Sequence, residues 1–118
     1  MLFRSGGGTS LSMQRTLADA YKVQAMRGQR LTAWSALHSA TRGAAQALGL
    51  AFEIGTLEPG LMADVCLWDR AVNATDTWRQ TMARDLHEQL FAWLLLSDDR
   101  HLASTWVAGT ERFRRGPA

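Results

Sequence analysis

Apolar residues recur at helical spacing near the start of the chain. One face of the predicted helix carries Met13, Leu17, Ala20 and Tyr21. Glycines at positions 6–8 form a flexible loop before it, and the hydroxyl of Thr9 or Ser10 can accept from the backbone amides of its first turn. The pattern predicts a capped amphipathic helix that ends near Gly28.

A second helical pattern begins at Thr32. Its apolar stripe keeps the spacing of one continuous face and comprises Trp34, Leu37, Thr41, Ala44, Ala45 and Leu48. Gly49 follows, at the position where a helix commonly ends in a left-handed residue that glycine adopts without strain. The sequence therefore predicts a single helix over residues 32–48.

The helical periodicity stops before a Gly/Pro turn. Glu58, Pro59 and Gly60 predict this turn, because proline fixes φ and glycine tolerates positive φ. Residues 63–67 are mostly apolar and predict a short strand. Cys66 lies among apolar neighbours in that strand, so we expect a small buried side chain rather than a reactive thiol.

The last third of the chain predicts a loop, a helix and a hairpin. Residues 73–80 predict the loop and residues 82–96 a helix that is apolar on more than one side. The stripe of this helix comprises Leu86, Leu90, Trp93 and Leu94. Residues 105–113 fit a hairpin with Ala108 and Gly109 near its turn. These elements predict an α+β chain without an internal repeat.

Composition limits the class of protein. The chain has 118 residues, 47% of them apolar and 20% charged, which suits one modest domain. The longest apolar run, residues 90–96, is far shorter than the ~20 residues that span a bilayer, so we expect no membrane partner. We also expect no signal peptide, and the single cysteine excludes an internal disulfide and fits the cytoplasm.

The charge does not favour a nucleic-acid partner. The net charge is +2, and lysine and arginine are spread along the chain instead of lining one face. The one cluster, formed by Arg112, Arg114 and Arg115, is interpreted as a solvated tail rather than a phosphate site. We therefore expect no binding of DNA or RNA.

The three histidines, His38, His87 and His101, do not predict a metal site. No two of them have the HxH, HxxxH or HExxH spacing that places two imidazoles on one metal. We interpret His38, one turn after Trp34, and His87, beside Glu88, as packed or partly exposed side chains. No phosphate loop of the GK[ST] type and no GxSxG nucleophile elbow is present.

The adjacent carboxylates of Asp98 and Asp99 are interpreted as part of a structural loop. Adjacent residues after a helix point in different directions, and Arg100 is an evident charge partner for them. The sequence therefore predicts no catalytic, substrate-binding or metal-ligating residue in this chain.

Separate segments along the chain carry a family resemblance. They are GGGTSLSM at 6–13, LADAYKVQ at 17–24, ATRGAAQALGL at 40–50, IGTLEPG at 54–60, ADV at 63–65, and LLLSDDR with TWVAG within 94–109. In this order they resemble the C-terminal part of bacterial guanine deaminases, members of the metal-dependent amidohydrolase superfamily. GGGTSLSM and the DDR segment point to guanine deaminase, and IGTLEPG with ADV is general to the superfamily.

The resemblance implies a fold and a reaction. The family combines a (β/α)8 barrel with a small β-rich domain, is usually dimeric, and uses zinc to convert guanine and water to xanthine and ammonia in purine catabolism. This chain would form an α+β fragment that is one partial domain. Its expected parts are the terminal barrel helices in 1–50, a turn and strand of the small β domain in 51–69, a long helix in 70–98, and a β-hairpin with a basic tail in 99–118.

The resemblance assigns no metal ligand to this chain. The family holds zinc with an HxH pair, two later histidines and an aspartate shortly before the glycine-rich segment, in a pattern like TDVGGG. Arg4 stands where that aspartate is expected, and a permanently protonated guanidinium cannot ligate zinc. The histidine ligands would precede residue 1. The binding of guanine and of zinc is thus implied for the full-length family, and we expect no zinc on this chain alone.

Two functions follow from the resemblance. The chain is a fragment of a guanine deaminase-like zinc amidohydrolase that is inactive alone, or a non-catalytic remnant or interaction module that docks on an intact deaminase. Its own enzymatic status stays open. The expected origin is a truncated or frame-shifted gene. Faces built to pack on a barrel would be uncovered, so we expect a homo-oligomer or association with the missing barrel portion.

Overall fold

The computed structural model describes residues 10–116 of the chain. Arg4, the triple glycine and Thr9, on which several sequence-based predictions rest, lie outside this range. The described residues form an α+β structure with five α-helices, a 3₁₀ turn and three strands. The elements are α1 Met13–Met26, α2 Ala33–Ala40, α3 Arg42–Ala47, β1 Val65–Trp68, α4 Ala74–Thr81, α5 Leu86–Leu96, the 3₁₀ turn Asp99–His101, β2 Leu102–Val107 and β3 Thr110–Arg114.

Helix α1 lies where the apolar pattern predicts it, but Ser10 is not its cap. The N-cap residue is Ser12, whose side chain makes no capping hydrogen bond, and Ser10 Oγ accepts from the backbone N–H of Ser12 at 3.0 Å. The predicted end is confirmed, because Gly28 has φ of 72° and donates its N–H to Ala25 O. Glycine adopts this left-handed conformation without a Cβ clash.

The second predicted helix is broken into α2 and α3. Thr32 caps its start by accepting from the N–H of Ser35 at 3.1 Å. The break falls at Thr41, with φ of −120° and ψ of −98°. Its hydroxyl donates to Leu37 O at 2.7 Å, an alternative to the regular helical hydrogen bond of that carbonyl. Gly49, at φ of 74°, follows α3 as predicted.

The three strands form one antiparallel sheet in the order β1-β2-β3. The predicted hairpin is confirmed: Ala108 and Gly109 have φ of 49° and 75°, the positive values that a two-residue type I′ turn requires. The prediction of a buried cysteine is wrong, because Cys66 is exposed on β1. This strand lies at an edge of the sheet, where an apolar neighbourhood in sequence does not ensure burial.

The segment between β1 and β2 contains two helices instead of a loop and one long helix. The predicted loop at 73–80 is α4, whose first turn is capped by Asn73 Oδ1 accepting from Asp76 N at 2.9 Å. Helix α5 begins at Leu86, not at residue 82, because Asp85 caps it by accepting from Glu88 N at 2.8 Å. Side-chain acceptors at both starts therefore define two separate helices.

The buried core of the described residues is small. It is centred on Leu17, Ala36 and Leu94, which bring α1, α2 and α5 together. An edge-to-face contact between Trp68 and Trp93, with ring centroids 5.6 Å apart, joins the sheet to α5. No helix within residues 10–116 is long and apolar enough to cross a membrane.

Many large apolar side chains remain at the surface. Within residues 10–116, eighteen of them are exposed, in contrast to the few aliphatic side chains that are buried. A groove of about 670 Å³ also lies between α1 and the α2–α3 pair, lined mainly by apolar side chains that include Met13, Ala20, Ala44 and Leu48. The described residues thus leave many apolar side chains uncovered beside a small core.

Candidate functional site

A buried histidine, His101, lies between two aspartates. His101 is 1% exposed and Asp76 is 5% exposed. The Nε2 atom of His101 lies 3.0 Å from Asp76 Oδ2, and its Nδ1 accepts from the backbone N–H of Asp98 at 3.1 Å. A nitrogen that accepts carries no proton, so this geometry selects the neutral tautomer with hydrogen on Nε2, which donates to Asp76.

Asp76 is held in place by its own helix start. Its carboxylate also accepts from the N–H of Val72 at 3.1 Å, and its backbone N–H donates to Asn73. The carbonyl of His101 accepts from Asp69 N at 2.8 Å. The pair therefore links α4 to the 3₁₀ turn and the end of β1, and every polar atom of the imidazole is satisfied.

Asp98 forms an ion pair with Arg100, as the interpretation of a structural loop requires. Arg100 Nη2 lies 2.7 Å from Asp98 Oδ2, and its Nε lies 3.1 Å from both carboxylate oxygens. Hydrogen bonds from the Arg100 guanidinium hold the pKa of the Asp98 carboxyl well below its usual range. Asp99 is exposed and does not converge with Asp98 on a common site.

The other two histidines make contacts among the helices. His87 Nε2 accepts from the backbone N–H of Ala33 at 3.3 Å, and so satisfies an unpaired amide in the first turn of α2. Its ring stacks on Phe91 with centroids 6.3 Å apart. His38 is exposed and lies against Gly43 of α3. The structure brings neither of them to His101.

These residues do not fit a zinc ion. Within residues 10–116, no three histidine, cysteine, aspartate or glutamate side chains come together as a possible ligand set. The nearest approach is the His101 cluster, but both ring nitrogens of His101 are already engaged, on opposite edges of the ring. A zinc ligand needs a free imidazole lone pair directed at the metal. The hydrogen bonds of the cluster therefore hold α4 and the 3₁₀ turn together.

Sequence reasoning missed this cluster. Asp76 and His101 are separated by 25 positions and share no metal-binding or catalytic spacing. Two local signals were present: Asn73 precedes Asp76 by three residues, and Asp98 precedes His101 by three. Both spacings are typical of a residue that caps a helix start. They indicate capped turns and do not indicate that the two turns meet.

A sequence profile of the amidohydrolase family matches residues 4–112. The chain belongs to the amidohydrolase family. Within this family it is similar to guanine deaminase of Escherichia coli strain K12, with 36% identity over 110 residues, or 93% of this chain. Those residues are 25% of the E. coli protein, so the chain spans about a quarter of that relative.

Solved structures of amidohydrolases match the fold. E. coli guanine deaminase superposes with a TM-score of 0.90 at 36% identity, over 94% of this chain and 26% of the other. Guanine deaminase from Bradyrhizobium japonicum gives 0.84 at 28% identity, over 94% and 30%. An adenosine deaminase from Xanthomonas campestris with bound zinc gives 0.67 at 26% identity, over 86% and 22%. The chain thus has the fold of a portion of a guanine deaminase-like amidohydrolase.

Proposed function

We propose that this chain is the C-terminal portion of a guanine deaminase-like enzyme and supplies structure instead of catalytic groups. The complete enzyme would hydrolyse guanine with water to xanthine and ammonia. The E. coli relative supports this assignment through its similarity over nearly all of this chain. In this proposal residues 1–50 belong with the terminal barrel helices, and the strands belong to the small β-rich domain.

The observation that carries the proposal is the uncovered apolar surface. Phe52 is 91% exposed, and Leu48 and Leu57, close to it in sequence, are also exposed. The groove beside α1 is open and mainly apolar. Contiguous exposed apolar surface marks a contact with another part of a protein. The relative's remaining three quarters is the natural candidate to cover it.

Zinc would belong to that remaining portion in the proposed enzyme. The described residues offer no ligand set, and the nitrogens of His101 are engaged. The bound zinc of the Xanthomonas campestris adenosine deaminase is a property of that protein. We therefore assign no step of the hydrolysis to a side chain of this chain, and we propose a cytoplasmic enzyme of purine catabolism.

Reconstitution from two polypeptides tests the proposal. This chain, carrying Arg4→Asp to supply the aspartate that the resemblance expects at that position, would be coexpressed with an E. coli guanine deaminase that lacks the 110 residues to which it aligns. We expect neither polypeptide alone to convert guanine to xanthine, and the pair to do so with zinc retained in the purified complex. Ultraviolet absorbance follows xanthine formation, and elemental analysis measures the zinc.

Two variants of this chain provide a matched control. Phe52→Asp and Thr75→Asp each add one negative charge at an exposed position. If the remaining portion covers the apolar surface, Phe52→Asp reduces the recovered activity and Thr75→Asp does not. Equal effects of the two variants, or xanthine formation by this chain alone, would count against the proposed role.

The second candidate function is a non-catalytic module that docks on an intact deaminase. The same exposed apolar surface favours it, because docking needs no metal ligand in this chain. Two results together would favour this second function over the first. This chain would copurify with full-length E. coli guanine deaminase, and the two-polypeptide experiment would show no activity.

A further inference from the structure

We draw no further inference here: the strongest candidate, the uncharged outer edge of strand β1 with its exposed Cys66 and Leu67, carries nothing beyond the proposed function, because nothing in the structure shows what covers it.

Discussion

At the scale of single residues, His101 links the start of α4 to the 3₁₀ turn. It gives its N–H to Asp76 and accepts from the backbone of Asp98, so each partner loses a hydrogen bond when the ring is removed. Removal of one partner from a buried polar pair is costly, because the other is left desolvated. The neutral tautomer and its two hydrogen bonds therefore define a structural role.

We expect His101→Leu to lower the free energy of unfolding by about 3 kcal/mol, because it leaves the Asp76 carboxylate buried without its main donor. The double variant His101→Leu/Asp76→Leu should lose much less than the sum of the single variants. Denaturant titration measures all three. Asp99→Ala, at the exposed neighbour, should change stability by less than about 0.5 kcal/mol. Additive losses in the double variant would show that the pair is not coupled.

The ion pair between Arg84 and Glu88 makes a prediction about pH. Hydrogen bonds from the Arg84 side chain and backbone lower the pKa of Glu88 from 4.5 to about 2. A depressed pKa in the folded state means that the contribution of the pair is present above 4.5 and is lost as the pH falls toward 2. The carboxyl carbon shift of Glu88, followed by NMR, should titrate near 2.

The Arg84→Ala variant provides the control for that titration. Without the guanidinium, the Glu88 midpoint should move up toward its ordinary value of 4.5. Arg79→Ala removes a weaker electrostatic influence and should move the midpoint less. A midpoint near 4.5 in the natural chain would mean that the pair does not form in solution.

At the scale of elements, local signals explain which helices and strands could be predicted. The hairpin was predictable because Ala108 and Gly109 form a turn that its two central residues specify. Helix α4 was not, because threonines at 75 and 77 have modest helix propensity and its anchor is the distant His101. The break at Thr41 was missed because the apolar spacing continues through it. A contact distant in sequence anchors α4, whereas the break at Thr41 is accompanied by the local hydrogen bond from its hydroxyl to Leu37 O.

The loop between α3 and β1 offers an element-scale prediction. Gly55 and Gly60 have nearly the same φ, 100° and 97°, so alanine at either position suffers similar backbone strain. A Cβ at Gly55 would lie 2.8 Å from Ala45 Cβ, whereas one at Gly60 meets nothing within 4 Å. Gly55→Ala should therefore cost about 1–3 kcal/mol more than Gly60→Ala in denaturant titration.

The contact with α3 can be separated from the backbone effect. In the double variant Gly55→Ala/Ala45→Gly the 2.8 Å contact is removed, although the 3.2 Å approach to Arg42 Cα remains, and part of the lost stability should return. Equal losses for the two single glycine variants would indicate that the loop moves away from α3 without cost.

At the scale of the whole molecule, the small core and the large exposed apolar surface are the main facts. The family and the α+β class could be predicted from sequence, because the segments that carry the resemblance span most of the chain. The candidate site could not be predicted from a motif. Its members, Asp76 and His101, are common residue types that only the fold brings together.

Substitution of a buried apolar residue should lower stability, whereas substitution of an exposed one should mainly raise solubility. Leu94 is 2% exposed, and Leu94→Ala should cost about 3 kcal/mol of unfolding free energy because it leaves a cavity. Phe52→Ser should change stability by less than about 0.5 kcal/mol. The same variant should raise the solubility limit, measured by ultracentrifugation, because it interrupts an exposed apolar patch. A large loss of stability in Phe52→Ser would place this side chain in a core.

The position of His101 in the chain also has a consequence for synthesis on the ribosome. Asp69, Asp76 and Asp98 all precede it, and each uses a hydrogen bond to it. Until residue 101 leaves the exit tunnel, the Asp76 carboxylate and the backbone amides of Asp69 and Asp98 lack their partner in His101. Strand β2 begins at the next residue, so α4 and the sheet would be joined at the same stage, after residue 101 has emerged.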